Sequence, residues 1–172
     1  IKTLPVRMDR HNENAKKVAE WLRTQPKVKK VYYVGFEDHK DYATTIKQTR
    51  GFGGMISFTV DSFETVQKIL RNVDMIMFAE SLGGTETLIT YPTTQTHEDT
   101  PKDVKEKLGI TDRFLRMSVG IENVEDIENT RVTIKKDVLD KLKGTGSSVA
   151  NLEAHIGKTM SVKDLLYSMM VP

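Results

Sequence analysis

Between residues 11 and 23 the apolar positions Ala15, Val18, Ala19 and Leu22 recur three and four residues apart, which predicts a helix with one buried face. Pro26 ends it, since proline lacks the N–H that a further turn would need. Residues 28–34 are dominated by β-branched and aromatic side chains and predict a strand. A polar stretch leads to Gly51-Phe52-Gly53-Gly54 and a second strand, Met55–Val60. Ser62 stands where an N-cap belongs, and Phe63, Val66, Ile69 and Leu70 form the face of the helix behind it. Two short strands are expected at 75–78 and 86–91, with Ser81-Leu82-Gly83-Gly84 between them. Pro101 opens a helix that runs to Leu108, and Gly109 fits the C′ position, where left-handed backbone is needed. A further strand is expected at 113–121, then the start of an acidic helical turn at Val124. Helices interspersed with short strands, several close enough in sequence to form hairpins, indicate an α+β fold: a mostly antiparallel sheet with helices on one face.

Near Asn129 the character changes. Residues 131–134 read as a short strand, Gly144-Thr145-Gly146-Ser147-Ser148 as a tight-turning stretch, and Gly157 as another turn. Ser161 is expected to cap a helix whose wide apolar face is Val162, Leu165, Leu166, Met169 and Met170. The expected division is a domain at 1–128 and an appended α/β tail segment at 129–172.

Composition narrows the chemistry. With 38% hydrophobic and 29% charged residues, the chain has the balance of a soluble globular protein, and no stretch approaches a membrane span. The opening Ile1-Lys2-Thr3-Leu4-Pro5 lacks the apolar core of a signal peptide. It also lacks an initiator Met, as expected of a segment that begins inside a longer product. There is no cysteine, which excludes disulfides, thiolate metal sites and a Cys nucleophile, and fits a reducing, cytoplasmic compartment. The 26 Lys and Arg are interleaved with 24 Asp and Glu, so no basic stripe points to nucleic acid. His11, His39, His97 and His155 show no metal-ligand spacing and are expected to be exposed or singly hydrogen-bonded.

Four segments carry a family resemblance. They are Thr3-Leu4-Pro5-Val6-Arg7-Met8-Asp9-Arg10-His11-Asn12-Glu13-Asn14-Ala15; Gly51-Phe52-Gly53-Gly54-Met55-Ile56-Ser57-Phe58; Glu80-Ser81-Leu82-Gly83-Gly84-Thr85-Glu86-Thr87-Leu88 with Pro92 and Thr96-His97; and Gly109-Ile110-Thr111-Asp112 with Leu115-Arg116-Met117-Ser118-Val119-Gly120-Ile121-Glu122. In this order they resemble the C-terminal domain of the Cys/Met-metabolism pyridoxal-phosphate (PLP) enzymes, a domain of fold-type I. These are the cystathionine γ-synthases, cystathionine β- and γ-lyases, methionine γ-lyases and sulfhydrylases. The resemblance implies that Arg116 binds the substrate α-carboxylate, a task suited to a planar, permanently charged guanidinium. It further implies that Ser81 and Leu82 contact substrate in a loop where glycines let backbone approach closely. Thr96 and His97 are read as loop packing, and Gly51, Gly53 and Gly54 as sites of close backbone contact.

By the same resemblance the complete enzyme uses pyridoxal 5′-phosphate, acts on a sulfur amino acid and is a homotetramer. Its aldimine lysine follows a Ser-x-Thr stretch in a large N-terminal domain. No lysine here has those flanks, Thr44-Thr45-Ile46-Lys47 being a superficial echo. No catalytic residue and no bound cofactor are therefore expected of this chain alone, which lacks that domain. The tail segments Val132-Thr133-Ile134-Lys135-Lys136, Gly144–Leu152 and Met160–Pro172 resemble a piece of the serine D-alanyl-D-alanine carboxypeptidases, without the Ser-x-x-Lys nucleophile motif. Two other readings stand beside the leading one: a non-catalytic structural or interaction module, and a fused peptidase fragment.

Overall fold

The computed structural model describes residues 1–73 and 75–125, together with the backbone of two short strands at 131–133 and 159–161. Helix α1 (Leu4–Thr24) begins seven residues before the periodic stretch that signals it, with Pro5 in its first turn. The apolar residues of those early turns, Leu4, Val6 and Met8, face solvent, while polar His11 and Asn14 occupy the inward stripe. Further along, Ala15, Val18, Ala19 and Leu22 are buried as expected.

Five strands form one sheet in the order β1 (Val28–Tyr32), β2 (Met55–Val60), β5 (Phe114–Ser118), β4 (Leu88–Thr90) and β3 (Met77–Phe78). The pairs β1–β2, β2–β5 and β4–β5 are antiparallel, and β3–β4 is parallel. The parallel pair departs from the hairpin that sequence proximity suggests. Two parallel neighbours cannot be joined by a tight turn, so residues 79–87 return the chain to the starting end of the sheet.

Alternation along the strands separates the two faces. Ile56, Phe58 and Val60 of β2, Leu115 and Met117 of β5 and Ile89 of β4 are buried. Helix α1 packs on β1 and β2, and α3 (Phe63–Asn72) packs on β2. The opposite face of β2 and β5 carries Ser57, Thr59, Phe114 and Arg116, all half-buried. On β4 even the residues of that face, Leu88 and Thr90, are buried.

The helix ends follow local chemistry. The Ser62 hydroxyl accepts the Thr65 N–H at 3.2 Å, the N-cap read from sequence. Helix α4 (Lys102–Lys107) closes with Gly109 at φ +73°; Gly109 N–H reaches the Glu106 carbonyl and Ile110 N–H that of Lys105, a Schellman arrangement. Helix α2 (Tyr42–Gln48) had no counterpart in the sequence reading, because it has no buried residue and hence no apolar period.

The chain divides into two units, Ile1–Val124 and Glu125–Pro172. In the second, β6 (Arg131–Thr133) pairs antiparallel with β7 (Thr159–Ser161). The strand read at 131–134 is thus present, and Ser161 ends β7. The expected helix at 162–170 and the turns at Gly144–Ser148 and Gly157 lie outside the described residues. No helix among the described residues is long and apolar enough to cross a membrane.

Candidate functional site

Arg116 occupies the middle of the half-exposed face. Ser57 of β2 lies directly opposite it on one side and Thr90 of β4 on the other, so small hydroxyl side chains flank the guanidinium across three strands. Arg116 Nη2 donates to Thr90 Oγ1 at 3.4 Å, while the Thr90 hydroxyl proton goes to the Ala79 carbonyl at 3.0 Å. Among the described residues no carboxylate lies within ion-pair distance of Arg116. Its charge is held in place by a neutral acceptor and remains available to an anion.

Ser81 and Leu82 are exposed, Leu82 at 58%. Among the described residues no hydrogen bond joins Ser81 to Arg116. What brings loop and strand together is the next residue but one. Gly83 N–H donates to Ser118 Oγ at 2.9 Å, and Ser118 shares the Arg116 face of β5. The loop is therefore tied to the sheet on the side where the guanidinium stands. The sequence reading missed Ser118 and Thr90. The alternation that marks β5 as a strand was the available signal for Ser118, since residues two apart share a face.

The four segments that carry the resemblance converge at one end of the sheet. His11 Nδ1 donates to the Val119 carbonyl at 2.6 Å, and Asn14 Nδ2 donates to the carbonyls of Gly120 and Glu122 at 3.1 and 2.7 Å. Gly53 N–H donates to Asn12 Oδ1 at 2.6 Å, and Val119 N–H to the Gly54 carbonyl at 2.8 Å. A side chain at Gly51 would strike Asn12. Gly51 and Gly54 thus serve close packing, as read from sequence, whereas Gly53 has open space about it and answers instead to its left-handed φ of +75°. The loop's second leg is fixed by Glu122, which accepts the Thr87 N–H at Oε1 and the Thr87 hydroxyl at Oε2, 2.9 Å. Gly120 N–H donates to Thr87 Oγ1 at 2.9 Å and Ile121 N–H to the Thr85 carbonyl at 2.9 Å.

The remaining candidates take lesser parts. Thr96 Oγ1 pairs with His97 Nδ1 at 2.8 Å, and His97 N–H donates to the Pro92 carbonyl, the loop packing expected of them. His11 is buried, and the His39 ring stands beside Asp41. Among the described residues no group of three His, Asp or Glu is placed to hold a metal ion.

Known proteins share this sequence and geometry. Residues 1–130 match the family described as Cys/Met metabolism PLP-dependent enzymes. A cystathionine β-lyase of Coxiella burnetii is 48% identical over 131 residues, 75% of this chain and 34% of that enzyme. An L-methionine γ-lyase of Fusobacterium nucleatum subsp. polymorphum is 48% identical over 128 residues, 74% of this chain and 32% of that one. The crystal structure of cystathionine γ-synthase from Xanthomonas oryzae pv. oryzae, in complex with aminoacrylate and cysteine, superposes with a TM-score of 0.70 at 38% identity, covering 73% of this chain and 33% of that one. The chain thus spans about a third of the length of the relatives it matches.

Proposed function

The chain belongs to the Cys/Met metabolism PLP-dependent enzymes, and on that premise we propose that residues 1–128 supply the substrate-carboxylate site of a trans-sulfuration enzyme of the cystathionine β-lyase or γ-synthase type. The observation that carries the reading is Arg116: a half-buried guanidinium on the half-exposed face, flanked by Ser57 and Thr90, with no carboxylate partner among the described residues. A sulfur amino acid would set its α-carboxylate on that fork through paired charge-assisted bonds. Ser81 and Leu82, in the loop tied to the same face, complete the set of substrate contacts. Fixing the carboxylate fixes the orientation of Cα, which decides which of its bonds breaks.

In this family PLP supplies the electron sink for carbanion chemistry. The described residues do not fit that cofactor by themselves. Every lysine among them is exposed or half-exposed, and Lys17, Lys68 and Lys105 are engaged with Glu13, Glu64 and the Thr93 and Glu98 carbonyls. None offers the enclosed amine that a stable aldimine needs. In this reading the lysine belongs to an N-terminal domain of the complete, homotetrameric enzyme, and residues 129–172 are an appended segment, with their likeness to D-alanyl-D-alanine carboxypeptidases. Limited proteolysis should then cut first near 129–135 and leave the first unit intact; loss of the whole fold on trimming would join the tail to the core.

The test is a full-length chimera in which residues 1–125 replace the matching segment of the Coxiella burnetii enzyme. Arg116→Ala should raise KM about ten- to a hundredfold, from the loss of a charge-assisted bond worth about 1.5–3 kcal/mol. Arg116→Lys should recover only part, since an ammonium cannot form the planar fork. An unchanged KM in Arg116→Ala would sink the assignment.

A further inference from the structure

Ser118 is buried, 4% exposed, in a row that is otherwise apolar: its cross-strand neighbours are Met55 and Leu88. A buried hydroxyl there costs free energy unless it is bonded, and an aliphatic side chain would suit the row better. Among the described residues its hydroxyl has one partner, the Gly83 N–H at 2.9 Å. Gly83 itself has φ +72°, a left-handed conformation that side chains resist. The loop's other anchors, at Ala79, Thr85 and Thr87, lie nearer its ends, so this bond is the one that holds the Gly83 turn against the sheet. Ser118 lies two residues beyond Arg116 on the same strand and face, about 6.7 Å along it. Ser81 lies two residues before Gly83.

From these relations we infer that Ser118 is a positioning residue for the substrate loop, setting the distance between the Ser81 hydroxyl and the Arg116 guanidinium. The inference rests on the carboxylate reading of Arg116 and Ser81. Ser118 itself does not touch substrate. It acts through Gly83, keeping the two halves of an anion site on one strand's register. The ligand class is the α-carboxylate of an amino acid, which needs donors converging from both sides.

Two measurements test this. On the 172-residue chain, amide hydrogen exchange at Gly83 should accelerate at least about tenfold in Ser118→Ala relative to the core amides of β2 and β5, as expected when one ordinary hydrogen bond is lost. Ser118→Thr, which keeps the oxygen, should restore protection. In the full-length chimera Ser118→Ala should raise KM about three- to tenfold and leave kcat within about twofold. In a Ser81→Ala background the same change should add little, because the residue it positions is gone. If Ser118→Ala does not fold, Ser118→Cys keeps the shape with a weak acceptor and carries the same test. Unchanged Gly83 exchange would overturn the inference, and so would a KM effect that persists in full without Ser81. An unchanged KM in Arg116→Ala would instead overturn the reading beneath it.

Discussion

Asn14 and Glu122 are joined by a 2.7 Å hydrogen bond from the side-chain amide of helix α1 to a backbone carbonyl beyond the end of β5. The second amide hydrogen of Asn14 goes to the Gly120 carbonyl at 3.1 Å. Both donors are spent on carbonyls, so the orientation of this buried amide is fixed. One side chain of α1 thereby holds the turn whose next layer, Glu122 on Thr87, holds the loop at residues 79–87.

Asn14→Asp should therefore destabilise the chain more than Asn14→Ala, by about 3 kcal/mol or more at neutral pH, because a carboxylate would face two carbonyls. Burial and those carbonyls would raise the new group's folded pKa above its unfolded one. The deficit should then shrink as pH falls and the carboxyl regains a donor. Urea unfolding in neutral and mildly acidic buffer measures this; a deficit that grows in acid would refute it.

Gly120→Ala should cost about 2–3 kcal/mol and loosen residues 85–87. A Cβ there would collide with backbone of Thr85 and Glu86 and with the Glu122 carboxylate. Thermal unfolding gives the cost, and faster amide exchange at Ile121 and Thr87 would locate it.

Thr90→Val keeps the shape of the side chain and removes the oxygen that accepts Arg116 Nη2. In the chimeric enzyme KM should rise about threefold to tenfold, as for one ordinary hydrogen bond, with kcat little changed. Thr90→Ser should behave like the parent.

Tyr33 is buried, its hydroxyl has no hydrogen-bond partner among the described residues, and burial pushes its pKa up to about 12 from the usual 10.0. A folded pKa above the unfolded one contributes stability that is complete below the unfolded value and lost as pH climbs through the folded one. The chain should thus lose on the order of 2 kcal/mol between these two values. Tyr33→Phe should flatten that alkaline loss, and at neutral pH be neutral or stabilising by about 1 kcal/mol, since no bond is sacrificed. Chemical denaturation across the alkaline range separates the two chains.

Where burial and periodicity coincide, the sequence was legible. The alternation of Ile56, Phe58 and Val60 marks β2, and the Ser62 cap and the Gly109 stop need only local chemistry. It was illegible where tertiary bonds override composition. The first turns of α1 bury polar His11 and Asn14 because Val119, Gly120 and Glu122 wait for them, and α2 buries nothing at all. Arg116 was singled out through the resemblance of its surroundings, not through any property of a lone arginine. Ser118 was within reach of the alternation along β5, but Thr90 could not be found without the strand pairing, which relates residues far apart in sequence.

The parallel register of β3 and β4 has a consequence for how such a site can change over generations. Its connection, residues 79–87, departs from one strand and must re-enter beside it running the same way, pinned between at Gly83 and after at Thr85 and Thr87. A loop tethered at so many points has little slack to absorb an insertion or a deletion, which would drag β4 out of register with β5 and carry Thr90 away from Arg116. The exposed side chain of Leu82 is under no such restraint. On the function proposed above, the loop is therefore built to drift in chemistry at Leu82 while its length stays constant, so that selectivity for the rest of a substrate can diverge while Ser81 and Arg116 keep their places.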